Sequence, residues 1–119
     1  MLSIDELMRG NLFEVFNQRD GEQRREAIAR IYASEVSFSD PEETVIGHDA
    51  LDAKAQRILD EAPGFVFAAA GSTYVNHDLG YLAWTFGPEG QSPVVRGVDI
   101  ALVENGVIAS VYTLLLGES

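Results

Sequence analysis

The chain contains no cysteine, which removes disulfides, thiolate nucleophiles and cysteine-bound zinc together. Its two histidines, His48 and His77, show no His-x-x-x-His spacing, so no transition-metal site is expected. Positive charge is scarce: 8 Lys and Arg stand against 19 Asp and Glu, for a formal net charge of −11. Such a surface repels phosphate backbones and anionic lipids, so neither nucleic acid nor a membrane is an expected partner. No apolar run approaches the ~18 residues that cross a bilayer. The start, Met1-Leu2-Ser3-Ile4-Asp5-Glu6, lacks the basic region and apolar block of a signal peptide, and a cytoplasmic location is expected. Internal repeats, linkers and low-complexity stretches are missing too.

What remains is an ordinary globular composition, 46% hydrophobic over 119 residues, enough for one core and too little for two. Residues 1–119 are therefore read as a single domain. Ser3 with Glu6 forms a capping-box pattern, and Ile4, Leu7, Met8, Leu12, Val15 and Phe16 recur at helical spacing. Asn17–Gly21 breaks that helix. Asp20 caps a second one, whose buried stripe is Ala27, Ile28, Ile31 and Tyr32. Val36 and Phe38 alternate with polar neighbours as a short strand, Asp40-Pro41-Glu42-Glu43 turns the chain, and Thr44-Val45-Ile46 returns. Gly47 leads into a third helix with Leu51, Ala55, Ile58, Leu59 and Ala62 inward, ended by Pro63-Gly64.

The second half reads as strand and turn. Phe65–Val75 is one long strand with a bulge at Gly71, Leu79–Phe86 runs back, and Pro93–Glu104 and Val107–Leu116 form a hairpin at Asn105-Gly106. A two-residue turn there sets Tyr112 opposite Asp99, whereas a type I turn with a bulge at Gly106 sets Val111 opposite it. Three helices followed by long antiparallel strands give an α+β domain with helices on one sheet face. The last strands are apolar on both faces, with Val94, Val98, Ile100 and Leu102 on one and Val95, Ala101 and Val103 on the other together with Asp99. Helices cover only one face, so a second copy of the chain is expected on the other, as a homodimer.

Two carboxylates stand out. Asp40 ends a strand beside Pro41, where its plain role is to cap backbone N–H groups of the turn. Asp99 lies alone in the apolar run Val94–Val103, where an unpaired charge is costly, so it is expected to be protonated, paired or facing a wet pocket. Arg96 is three residues from Asp99, so a regular strand points the two to opposite faces, and only a bulge near Gly97 would bring them together.

The order of these pieces resembles the nuclear transport factor 2-like superfamily, especially its SnoaL-like and ketosteroid-isomerase-like members. The resemblance runs over essentially the whole chain. It rests on Asn17…Asp20, Tyr32-Ala…Val36-x-Phe38-x-Asp40-Pro41, Gly47 before the third helix, and Val98-Asp99 followed by Asn105-Gly106. It implies a cone-shaped curved antiparallel sheet packed on three N-terminal helices around a deep apolar pocket, with no cofactor. It places Asp40 where the isomerases carry a general base and Asp99 where they carry a neutral carboxylic acid that donates to an oxyanion. Their third group, a tyrosine, is Leu12 here. The pocket wall implied is Leu12, Phe16, Tyr32, Phe38 and the strand face Leu82, Trp84, Phe86. The function implied is binding of an apolar, carbonyl-containing small molecule, with cofactor-free isomerase or cyclase chemistry; the alternative is a non-catalytic ligand-binding or dimerisation module.

Overall fold

A computed structural model describes residues 1–117. The capping box forms as the sequence dictates: Glu6 N–H donates to Ser3 Oγ at 3.0 Å and Ser3 N–H to Glu6 Oε1 at 2.9 Å, opening α1 (Ile4–Gly10). The helix then widens into a π-helical segment, Asn11–Phe16, closed by an Asn17 N–H to Leu12 carbonyl bond at 2.9 Å. Its buried residues explain the widening. Leu7, Asn11 and Val15, and Met8, Leu12 and Phe16, repeat every four residues. An α-helix has 3.6 residues per turn and would carry such a pattern off its face, while a wide turn brings it back.

The second helix, α2 (Gly21–Ile31), starts at Asp20, whose carboxylate accepts from Gln23 N–H at 3.0 Å. It ends one residue earlier than the apolar stripe suggests. Tyr32 opens β1 (Tyr32–Ser39) instead, and its buried side chain serves the sheet rather than the helix. After β2 (Thr44–Ile46), Gly47 takes φ 92°, a conformation that favours glycine, and begins α3 (His48–Asp60). Arg24 on α2 is buried and binds Asp52 Oδ1 at 2.6 Å and the Gln18 carbonyl at 2.7 Å, tying α2 to α3.

The expected long strand over 65–75 is two strands, β3 (Phe65–Ala69) and β4 (Tyr74–Asn76). Both pair with β5 (Leu79–Pro88), but their registers differ by two residues, from Ala69 opposite Trp84 to Tyr74 opposite Tyr81. Gly71, at φ 121°, sits in the excursion that absorbs the extra residues. The last two strands are β6 (Val95–Glu104) and β7 (Val107–Leu115). The sheet order is β2-β1-β7-β6-β5-β3, with β4 beside β5. It is not wholly antiparallel: β1 and β7 run parallel.

The hairpin register matches neither expected alternative. Asn105 and Gly106 both have positive φ, 53° and 81°, and Glu104 pairs with Val107, so the two-residue turn forms. A bulge then lets Ala109 drop out between Val103–Ile108 and Leu102–Ser110. The shift puts Thr113 opposite Asp99 and moves Tyr112 opposite Ile100 on the outer face, where it is 50% exposed.

Curvature follows from the aromatic core. Four strand spacings separate β1 from β3, about 19 Å in a flat sheet. Yet Phe16 lies 5.0 Å from Phe38 on β1 and 6.4 Å from Phe67 on β3, centroid to centroid. The sheet therefore curls around the first helix. Among the described residues no helix is long and apolar enough to cross a membrane.

Candidate functional site

Inside that curl is a cavity of about 230 Å³. Leu12 and Phe16 come from the π-helical segment, Phe38 from β1, Phe67 from β3, and Trp84 and Phe86 from β5. These are mostly rings packed edge to face or stacked: Phe67 to Trp84 at 5.2 Å and 76°, Phe67 to Phe86 at 4.1 Å and 23°. Asp40 and Asp99 both line the cavity, with Glu42, Lys54 and Thr113. Leu82, opposite Asp99 on β5, is fully buried and is not part of the cavity wall. Neither is Tyr32, whose hydroxyl lies one residue behind it.

Asp99 is 5% exposed, and no cation among the described residues pairs with it. Its Oδ2 accepts from Asn11 Nδ2 at 2.8 Å and its Oδ1 from Thr113 Oγ1 at 2.7 Å. The Asn11 Oδ1 in turn accepts from the Tyr32 hydroxyl, making a buried chain Tyr32–Asn11–Asp99–Thr113. Burial pushes the Asp99 carboxyl above the ordinary carboxylate value; the Thr113, Trp84 and Asn11 donors oppose this without cancelling it. Burial also drives the Tyr32 phenol well up, and the nearby Asp99 charge adds to that. The Trp84 indole favours ionised Asp99, but its Nε1–H makes no hydrogen bond of normal geometry to an acceptor among the described residues.

Asp40 has the opposite surroundings. Its Oδ1 accepts from the Glu42 and Glu43 N–H groups at 2.9 and 3.0 Å, the turn cap expected of an Asp-Pro. Its Oδ2 lies 2.8 Å from Lys54 Nζ. Burial pushes this carboxyl up, but the Lys54 and backbone hydrogen bonds outweigh it and hold it below the usual range. Lys54, only 2% exposed, also meets Glu43 at 3.0 Å and Glu42 at 3.5 Å. Desolvation disfavours its charge, yet the Asp40 and Glu43 hydrogen bonds win and raise it, so it stays an ammonium. Arg57 closes the cluster from the surface through Glu43 and Glu42.

Lys54, Asn11 and Thr113 were not among the residues expected from the sequence. Two carried a signal. Lys54 lies between Leu51 and Ile58 in the apolar stripe of α3, and Asn11 between Leu7 and Val15 in that of the first helix. A polar residue in a buried stripe is the same anomaly that marks Asp99. Arg96 and Asp99 do lie on opposite faces, since β6 pairs with β5 without irregularity between them. His48 Nε2 meets the Tyr32 and Ala33 carbonyls at 3.1 and 2.9 Å. No group of three or more His, Asp or Glu among the described residues is placed to hold a metal ion.

Residues 10–111 match the model of the SnoaL-like domain. No curated protein matches the sequence significantly. Among solved structures, a candidate isomerase of the SnoaL-like family from Agrobacterium tumefaciens is 22% identical, with a TM-score of 0.87 over 93% of this chain and 95% of that one. A candidate ketosteroid isomerase from Kribbella flavida is 16% identical, with a TM-score of 0.74 over 98% and 79%. A candidate polyketide cyclase from Sinorhizobium meliloti is 15% identical, with a TM-score of 0.71 over 90% and 92%. At these identities the likeness is one of fold.

Proposed function

The chain belongs to the SnoaL-like domain family, and from that premise we propose that it binds a compact, mostly apolar carbonyl compound in the aromatic cavity. The observation that carries this reading is a single hollow walled by rings with two carboxylates of opposite character, one pushed toward the neutral acid and one held ionised. At about 230 Å³ the space is below the ~300–1,000 Å³ of common ligand pockets, which favours a small ligand over one of steroid size.

The same pair supports cofactor-free proton transfer. Neutral Asp99 donates to the carbonyl oxygen, Asp40 removes a proton from the adjacent carbon, and the resulting enolate is reprotonated from Asp40 at the same or another carbon. Lys54 makes Asp40 a weak base, because lowering a pKa by one forfeits about 1.4 kcal/mol of driving force. Substrates flanked by two carbonyls, whose C–H bonds are more acidic, suit such a base. The candidate isomerase and cyclase of similar fold are in keeping with this chemistry.

A second reading is favoured by the same ion pair: with Asp40 capped and neutralised, the domain binds without turnover. Deuterium exchange at the central carbon of small 1,3-diketones in D₂O separates the two. Exchange above background that Asp40→Asn abolishes supports catalysis; a ligand-induced rise in melting temperature without exchange supports binding alone. Neither effect, across diketones and aryl ketones, removes both readings.

The outer sheet face carries a row running Tyr74, Tyr81, Ile100 and Tyr112 across β4, β5, β6 and β7. Leu114 beside it is half exposed. A second copy of the chain is the partner we propose for this face. Sedimentation equilibrium of the wild type against Tyr112→Glu tests it: a dimer that the charge splits is expected, and a wild-type monomer at micromolar concentration ends the idea.

A further inference from the structure

Nearly every polar side chain that lines the cavity is already occupied. Asp40, Glu42 and Lys54 satisfy one another, and Asp99 and Thr113 are bonded together with Asn11 behind them. Trp84 is the exception. Its Nε1 is buried and makes no hydrogen bond of normal geometry among the described residues, although it lies near enough to the Asp99 carboxyl to favour its ionised form, and Trp84 lines the cavity at 6% exposure. Leaving such a donor unmade is costly, and in native structures it calls for an explanation.

The indole cannot easily turn away to find one. It lies across Gly97, where an added Cβ would come 2.3 Å from Trp84 Cζ2, and it is held edge to face on Phe67. Gly97 and Asp99 are two apart on the same face of β6, so the ring sits on the strand that carries the acid. An indole N–H donates and cannot accept. Whatever satisfies it must bring a lone pair, which selects carbonyl, enolate or phenolate oxygen and disfavours ammonium groups.

We propose that the Trp84 indole N–H is the second donor of an oxyanion site shared with Asp99, doing for a ligand oxygen what Leu12, having no polar atom, cannot. This rests on the carbonyl-binding reading and narrows it to ligands whose oxygen reaches the β5–β6 side of the hollow. Trp84 is thereby a ligand-binding residue whose hydrogen bond strengthens as negative charge develops on that oxygen.

Trp84 is the chain's only tryptophan, so ¹⁵N labelling gives one indole Nε1–H resonance. Titrating the wild type with 2-naphthol, and separately with naphthalene, should move that proton downfield with the naphthol alone. Trp84→Phe, which keeps a ring and loses the donor, should weaken naphthol about tenfold while changing naphthalene little; naphthol's own fluorescence reads this in a variant without tryptophan. Naphthol binding with an unmoved indole proton, or equal loss of both compounds in the variant, would overturn the oxyanion role and leave the pocket reading intact. If neither compound binds the wild type, this inference falls, and the carbonyl-pocket reading falls with it only if the diketones and aryl ketones also fail to bind. The wild-type resonance decides the matter even should Trp84→Phe fold poorly.

Discussion

Lys54 Nζ and Asp40 Oδ2 lie 2.8 Å apart, with the lysine almost wholly out of water. Replacing Lys54 by Met removes the counter-charge and leaves Asp40 with its backbone donors and burial. We expect the Asp40 pKa to rise, because the Lys54 hydrogen bond is the strongest of the effects that hold it down and the Lys54 charge adds to it, leaving only the Glu43 and Glu42 N–H groups against burial. Stability should fall by roughly 3 kcal/mol, the low end for breaking a buried pair, because Asp40 keeps some contact with water. Carbon-13 titration of the aspartate carboxyls and urea unfolding check the two halves. An unchanged Asp40 pKa would remove the ion pair from the account.

Asp99 makes a signed prediction about pH. Its folded pKa lies above the ordinary value of 3.8, so the folded chain keeps a proton that the unfolded chain has released. Stability from this group is therefore complete below about pH 3.8 and declines as pH rises toward the folded pKa, then levels. Asp99→Asn cannot titrate. The difference in unfolding free energy, wild type minus variant, should shrink as pH is raised from 4 to 8. The total loss is about 1.4 kcal/mol for every pH unit that separates the folded from the unfolded pKa. Asp40 contributes with the opposite sign in both proteins and cancels. A difference that stays flat would mean that Asp99 is not perturbed by burial.

Tyr32→Phe deletes the hydroxyl that caps the Asn11 side-chain oxygen. That oxygen is buried, and losing its donor should cost about 1–2 kcal/mol. Urea unfolding measures it. The ligand affinity of the cavity should change less than in Asn11→Leu, because Asn11 touches Asp99 directly and Tyr32 acts only through it.

Gly97→Ala tests the seat of the indole. The new methyl would meet the ring rather than a flexible chain end, so the ring must shift. We expect a loss of about 1–3 kcal/mol, as for other overpacked core sites, with a change in the emission of the single tryptophan. Unchanged stability and emission would show that the ring is not pinned there.

Much of the frame was legible because it is written in local chemistry. Ser3 and Glu6, Asp20, Gly47 and Asn105-Gly106 each solve a backbone problem within a few residues, and each stands where expected. Asp99 was legible because a lone carboxylate in an apolar strand has few innocent explanations. Of its two donors, Asn11 bore the same mark, a polar residue in a buried stripe, and Thr113 bore none. Thr113 faces Asp99 only because Ala109 leaves the ladder, and an alanine at a bulge carries no signature. The Lys54–Asp40 pair joins a helix to a turn, and a lysine on an apolar stripe also reads as a stem lying along the surface with its head in water. The break at 70–73 was hidden because its residues, Ala70-Gly71-Ser72-Thr73, look like a weak strand as readily as a loop.

The wide turn at Asn11–Phe16 bears on the counting of this helix. Omitting one residue there would let the coil tighten to its usual winding, and the tightening would offset the missing residue, so Leu7 and Met8 would keep their side of the axis. A relative shorter by one position in this stretch can therefore keep both anchors on an ordinary helix, and an alignment with it should set its gap within these six letters rather than beside them.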